Sequence, residues 1–423
     1  MDCRGDLITL SSKLRNQMTQ AVIMAAGKST RTYPLTLTKP KPLLKIANKP
    51  ILEHQLEQLV GLVEEVLLVV GYRKEMIQAQ FGNVYRGLPL RYVIQEEQLG
   101  TGHAAMQVQR WVRNRFIILN GDDLYHRQDI RACLEHRYAI LTQEVENPRD
   151  YGVLLIENGL LRDIVEKSPH PPTRFVNAGL YVVDETIFDV LKAIERSPRG
   201  EYELTSAMKK LAETRSIKCQ FVQKYWIPVV YPWSLLKANE LLLGEAVEER
   251  RRAGGVGEAL PADYREYSNF VGGRLWGGPG VSLGEGVEIE GTVWVGPGST
   301  MGPGCRLKGF VTLGDHCSLG AGTVVENSLI GDGARIGPFC RISDSVFGEG
   351  VQIDQGFKTL SAVPEVQTVR AKVKNTWIDT GRSRLGTILG DRVRIGQNVV
   401  AYPGVSLDPE VIVPAGSVLN NEP

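Results

Sequence analysis

The chain has 423 residues, 43% of them hydrophobic and 23% charged, with 49 lysines and arginines against 48 aspartates and glutamates. A formal net charge of +1 argues against a nucleic-acid or membrane-surface footprint, and the length exceeds one ordinary core, so two domains are expected. Six scattered cysteines (Cys3, Cys133, Cys219, Cys305, Cys317, Cys340) with no CxxC pair fit a reducing compartment better than a disulfide scaffold or a zinc site.

No apolar run approaches the roughly 20 residues that span a bilayer, and the first residues lack a signal-peptide core. The expectation is a soluble, cytoplasmic protein. Residues 1–19 show no periodicity and are expected to be an N-terminal extension, with Met18 as the natural start.

Ala21-Val22-Ile23-Met24 reads as a short buried strand, followed by Ala25-Ala26-Gly27 and the basic tail Lys28-Ser29-Thr30-Arg31. Small residues at such a turn let backbone N–H groups close on an anion, and Lys28, Arg31 and Lys41 add positive charge. The turn is not a P-loop, because Val22 stands where that pattern needs a glycine. By itself a strand and glycine turn fits a tight connection as well as an anion site. Lys41 lies between Pro40 and Pro42, so its backbone is held.

Up to about Ala246, strand-like bursts such as 64–71 and 115–120 alternate with helical spacing such as 51–63. That rhythm predicts an α/β domain with a mainly parallel, Rossmann-like sheet, its ligands beyond the carboxyl ends of the strands. Gly121-Asp122-Asp123 ends one of those strands, which places Asp122 at the same edge as the glycine turn. Asp123 is expected to face solvent or a helix cap. A linker is expected over 247–267.

From Val281 the period becomes six: Val281, Val287, Val293, Ser299, Cys305, Val311, Cys317 and Thr323 recur in step, each followed two residues later by Leu283, Ile289, Val295, Met301, Leu307, Leu313, Leu319 and Val325. The step resumes at Thr387. Such hexads predict a left-handed parallel β-helix over 268–423, with 355–384 leaving it as a long loop.

The stretch AAGKSTR…PKPLLKIANKP resembles the signature of the sugar-1-phosphate nucleotidylyltransferases. The match is similar to glucose-1-phosphate thymidylyltransferases and to archaeal-type two-domain N-acetylglucosamine-1-phosphate uridylyltransferases, and it spans about residues 20–240 as a nucleotidyltransferase domain of 20–246. It implies that a sugar-1-phosphate oxygen attacks the α-phosphate of a nucleoside triphosphate, UTP or dTTP, releasing pyrophosphate. The substrate implied is glucose-1-phosphate or N-acetylglucosamine-1-phosphate. In that scheme Met24, Ala25, Ala26, Gly27 and Arg31 meet the phosphates, Lys41 stabilises charge at the transferred phosphoryl, and Asp122 holds Mg²⁺. Gln95, Gly100 and Thr101, in a stretch similar to the uridylyltransferase motif QxEQLGTGHA, read the pyrimidine. Gly152, Glu166 and Asn177 look like the family's sugar pocket. His103 needs no role as a base, since the nucleophile is already a phosphate oxygen.

Two departures from the family stand out. Pro228 replaces the aspartate that supplies a second metal carboxylate, and Asn239 lies downstream, in a region where uridylyltransferases use an asparagine. In the second half, Ile378 to Asp391 resembles the acetyltransferase coil of two-domain members, yet Pro338-Phe339-Cys340-Arg341 stands where those carry a histidine base and a tyrosine. That half therefore reads as a homotrimer scaffold, and its deletion is expected to leave a soluble nucleotidyltransferase domain. Two alternatives stay open: a bifunctional enzyme that keeps acetyl transfer, and a regulatory protein that binds an NDP-sugar without turnover.

Overall fold

The computed structural model describes residues 19–252, 263–267, 270, 272–362, 367–374 and 376–420. The expected extension, apart from Thr19, and residues 253–262 of the expected linker lie outside this range. Two compact units are present, and they do not follow chain order. The first comprises the chain up to Lys28 with Ile51–Pro228, and the second comprises Ser29–Pro50 with Val229–Pro423.

The first unit is built on a ten-stranded sheet. Its strands are β1 (Gln20–Ala25), β2 (Glu65–Val70), β3 (Val84–Tyr85), β4 (Leu88–Ile94), β5 (Arg115–Asn120), β6 (Ala139–Glu144), β7 (Gly152–Glu157), β8 (Leu160–Glu166), β9 (Phe175–Asp184) and β10 (Lys218–Phe221), in the spatial order β7-β8-β10-β6-β9-β5-β1-β2-β4-β3. The run β5-β1-β2-β4 is parallel; β1, β2 and β5 are almost continuously buried, as strands covered on both faces are, whereas β4, beside the short edge strand β3, alternates buried and exposed residues. Beyond β5 the expectation of a mainly parallel sheet fails: β9 runs antiparallel to β5, β6 and β7, and β7 to β8. The reason is local. Turns at Asn158-Gly159 make a hairpin of β7 and β8, with both residues at positive φ, and a hairpin pairs antiparallel. The core gathers Val22, Leu67, Phe116, Ile118, Leu154 and Tyr181 with helix residues such as Ala105, Phe188 and Met208.

In the second unit the hexads form parallel coils, consistent with the expected β-helix. Ser282 pairs with Thr300, Thr300 with Ser318, Ser318 with Arg335 and Arg335 with Gln352. A coil of eighteen residues thus gives way to coils of seventeen, which is why the six-residue step is lost after Thr323 although the coils continue. Lys358–Thr359 still pairs with Val400–Ala401, so the excursion begins later than expected; it carries the hairpin Arg370–Val373 with Thr376–Asp379. Met301, Leu307, Leu313, Leu319 and Val325 are buried inside. The buried thiols of Cys305, Cys317 and Cys340 donate to the carbonyls of Gly320, Gly331 and Asp354 at 3.2, 3.2 and 3.3 Å. Burial pushes the Cys317 thiol up to about 12, so these are packing residues rather than nucleophiles or ligands.

The helix Ser234–Arg252 continues through the first residues of the expected linker, and Arg265–Tyr267 is a strand paired with Gly273–Gly277. Leu243 on that helix packs with Ala47, Trp276 and Trp294 in one buried cluster. Among the described residues no helix is long and apolar enough to cross a membrane.

Candidate active site

At the carboxyl ends of β1, β2 and β5 the first unit places three turns together. β1 lies between the other two, with Met24 level with Val69 on one side and Asn120 on the other. After β5 the chain folds back on β1: the Gly121 N–H donates to the Met24 carbonyl at 3.0 Å, and a Cβ at 121 would stand 2.6 Å from that oxygen. Only glycine permits so close an approach, and it sets half-buried Asp122 next to the Met24–Gly27 turn. Gln55, on helix Ile51–Leu59, fixes this corner by donating to the carbonyls of Asn120 (2.7 Å) and Asp123 (2.5 Å).

Asp123 does not face solvent. It is 6% exposed, and its Oδ2 accepts from Trp226 Nε1 (3.2 Å), Asn120 Nδ2 (3.2 Å) and the Tyr125 hydroxyl (3.4 Å). Burial, with the carboxylates of Asp123 and Asp122 beside it, pushes the Tyr125 phenol well above its usual range, so it remains a donor. The ribbon Asp123–Tyr125 with Trp226–Pro228 pairs Pro228 with Asp123. Position 228 thus stands one residue from Asp122 in register, and there the chain offers a proline ring.

Gln95 is 3% exposed at the end of β4, its N–H donating to the Val70 carbonyl at 2.9 Å. Its side-chain amide lies 3.0 Å from Nδ1 of His103, whose Nε2 is 3.1 Å from the Gln107 amide. His103 thus stands between the Gln95 and Gln107 side chains and, as a neutral imidazole, accepts from one of the two amides at whichever ring nitrogen carries no proton. Gly100 has φ 107°, and a Cβ there would sit 2.5 Å from the Tyr202 carbonyl. Leu99 and Gly102 are stitched to Tyr202 by backbone bonds of 2.8 and 2.7 Å. The Thr101 hydroxyl accepts from the Leu204 N–H at 3.0 Å, at the start of helix Leu204–Ala212, so it supports that helix rather than its own.

Gly152, Glu166 and Asn177, the residues expected to receive a sugar, meet at one end of β7, β8 and β9. Gly152 pairs with Glu166, and Val153 with Val176, next to Asn177. At Asn177 β9 bulges: its Oδ1 accepts from the Gly179 N–H (2.9 Å) and its Nδ2 donates to the Tyr181 hydroxyl (2.6 Å).

Arg31 and Lys41 belong to the second unit. Arg31 is exposed in the turn Thr30–Thr32, while Lys41 is 3% exposed and opens the turn Lys41–Leu43, which closes with Leu44 N–H donating to the Lys41 carbonyl at 2.9 Å. Asn239 has a bridging role in the second unit. It is 1% exposed, and its Oδ1 accepts from the Ala47 N–H (3.1 Å) and the Thr312 hydroxyl (2.7 Å), tying the helix to the loop and to a coil. The supporting roles of Gln55, Asn120, Trp226 and the loop's anchors were not legible beforehand, because each is set by a partner distant in the chain.

A nucleotidyl transferase family model matches residues 20–245. The chain belongs to the nucleotidyl transferase family. A second model, the GMPPB C-terminal domain, matches residues 272–378 of this nucleotidyltransferase. The enzyme is 35% identical over 413 residues to "Bifunctional protein GlmU" of Methanococcus maripaludis, covering 95% of each chain. To a "Bifunctional sugar-1-phosphate nucleotidylyltransferase/acetyltransferase" of Sulfurisphaera tokodaii it is 30% identical, covering 95% of this chain and 98% of the other. Its first half is 34% identical over 239 residues to "UTP--glucose-1-phosphate uridylyltransferase AglF" of Haloferax volcanii, covering 54% of this chain and 98% of that one.

Proposed function

We propose that this nucleotidyltransferase joins the nucleotidyl group of UTP or dTTP to a sugar-1-phosphate, glucose-1-phosphate or N-acetylglucosamine-1-phosphate, and releases pyrophosphate. The observation that carries this reading is the corner where Gly121 folds onto Met24, because it sets one carboxylate against a turn of small residues. At Gly27 a Cβ would meet nothing within 4 Å among the described residues beyond its chain neighbours, so backbone N–H groups there have room to approach a phosphate. Arg31 takes the triphosphate, and Lys41 stabilises charge as the sugar phosphate oxygen attacks the α-phosphorus in line. Such chemistry consists mostly of positioning and charge stabilisation.

Asp122 fits Mg²⁺: it is a half-buried carboxylate, and Mg²⁺ usually binds one or two carboxylates together with substrate phosphates and waters. Asp123, already accepting three hydrogen bonds, and Pro228 add no ligand. The ion would neutralise phosphate charge. Gln95 and Gly100 read the base, with Thr101 holding their turn, and Gly152, Glu166 and Asn177 receive the sugar. One relative, whose name specifies UTP and glucose-1-phosphate, supports this substrate pair. A matrix of four nucleoside triphosphates against sugar-1-phosphates, following pyrophosphate, tests it. Release confined to UTP or dTTP with one sugar is expected; release only with purine triphosphates would contradict the base assignment.

The coil half is proposed to assemble as a homotrimer and to lack acetyl transfer, although two relatives are named as bifunctional. A protonated amine is no nucleophile, so acetyl transfer needs a base near neutrality. Where the base is sought, Pro338 has no side-chain proton acceptor, Phe339 is 69% exposed, and Cys340 is buried with its thiol pushed up by burial. His316 is exposed at another corner. With acetyl-CoA and glucosamine-1-phosphate, thiol release equal to the no-enzyme rate is expected. Release above that rate that disappears in a Cys340→Ala or His316→Ala variant would overturn the assignment.

A further inference from the structure

The loop Ser29–Pro50, which carries Arg31 and Lys41, belongs to the same compact unit as the coils. Its contacts with them are ordered. Asn48 Nδ2 donates to the Leu313 carbonyl at 2.7 Å. Lys45 Nζ lies 2.6 Å from Asp332 Oδ2 and 3.4 Å from Asp315 Oδ2. Thr38 donates to Asp391 Oδ2 at 2.5 Å, and Lys39 pairs with that oxygen at 3.2 Å and with Glu349. Leu313, Asp315, Asp332, Glu349 and Asp391 follow one another from coil to coil, so the loop runs along the coil stack rather than across it.

The acids themselves are fixed. Asp332 Oδ1 accepts from the Asp315 N–H at 3.0 Å, and Asp391 Oδ1 from the Glu349 N–H at 2.8 Å. In each, one oxygen is bound by the neighbouring coil and the other is turned to the loop. The Lys39 and Asp391 side chains are only 8% and 4% exposed, so this pair is shielded from water and salt. Burial pulls the Lys45 ammonium down, but Asp332 and Asp315 outweigh it and leave its pKa raised.

We infer that this ladder of acids, Asp315, Asp332, Glu349 and Asp391, is a positioning device for the transfer loop, so that the coil half sets the placement of Lys41 and Arg31. The inference rests on the proposed roles of those two residues. Buried ion pairs are costly unless their geometry is fixed, and here the coils fix it in advance, which suits positioning better than bulk stability.

The test is the Asp332→Asn/Asp391→Asn double variant, whose amide oxygens still accept from Asp315 and Glu349 while both charges facing the loop are lost. A loop-side variant, Thr38→Val/Lys45→Met, leaves the coils untouched. In both, kcat for pyrophosphate release should fall by about 10-fold to 10²-fold, the cost typical of slight misplacement, with KM for the sugar phosphate within about two-fold. Amide hydrogen exchange over residues 35–48 should speed up while Tm hardly moves. Unchanged exchange and kcat in both variants would overturn the inference. Lys41→Ala is run alongside: if it retains turnover, the role given to Lys41 fails, and the exchange data still decide whether the ladder holds the loop.

Discussion

Lys41→Ala is expected to lower nucleotidyl transfer by about 10²–10³-fold, the usual cost of removing one preorganised charge from a developing anion. The ammonium is well suited to that task. Lys41 is 3% exposed, its backbone lies between two prolines, and it opens a turn closed by the Leu44 N–H. A charge held in this way costs little reorganisation when the α-phosphorus becomes crowded. Asp122→Ala should be at least as damaging at ordinary Mg²⁺, because Asp123 is already taken by Trp226, Asn120 and Tyr125, and Pro228 has no ligand atom to substitute. Steady-state turnover with both substrates saturating checks both. Near-normal kcat in either variant, with Tm unchanged, would place the centre elsewhere.

Ending the chain after Arg252 should abolish activity and not merely dissociate an assembly. A simple two-domain reading expects the opposite, a soluble transferase that has lost its scaffold. The structure argues against that outcome on two grounds. Truncation removes Asp315, Asp332, Glu349 and Asp391, the acids that meet Thr38, Lys39 and Lys45 among the described residues, and it strips Trp276 and Trp294 from the cluster around Ala47 and Leu243. Exposing one fully buried leucine costs about 1.5–3 kcal/mol, and aromatic rings of this size each bury roughly 150–250 Å². Size-exclusion with light scattering should show a trimer for the full chain and aggregate for the truncated one, with turnover lost. A monodisperse truncated protein with wild-type kcat would mean that the coils contribute nothing to the site.

What could be read beforehand is what lies close together in sequence. The strand and glycine turn at 21–27, the Gly121-Asp122 corner and the LGTG turn are each written within a few consecutive residues, and the coils repeat at a fixed step. The rest depends on distant partners. Thr38 meets Asp391 across more than three hundred residues, and Gln55 supports a corner 65 residues away. The burial of Asp123 follows from Trp226 reaching it from another strand, which no local pattern around Gly-Asp-Asp contains. The shortening of the coils by one residue takes the strict step of six out of phase after Thr323, so the expected β-helix covers 324–354 without its detailed register. The Thr101 hydroxyl reaches Leu204, 103 residues on, because Gly100 lets Tyr202 pack against the turn.

The most direct test of nucleotidyl transfer uses the full chain with Mg²⁺, a sugar-1-phosphate and UTP labelled in turn at the α- and γ-phosphorus. Attack at the α-phosphorus predicts α-label in a UDP-sugar and γ-label in pyrophosphate, in equal amounts. Label that stays in UTP, or γ-label that appears as inorganic phosphate with no UDP-sugar formed, would contradict it.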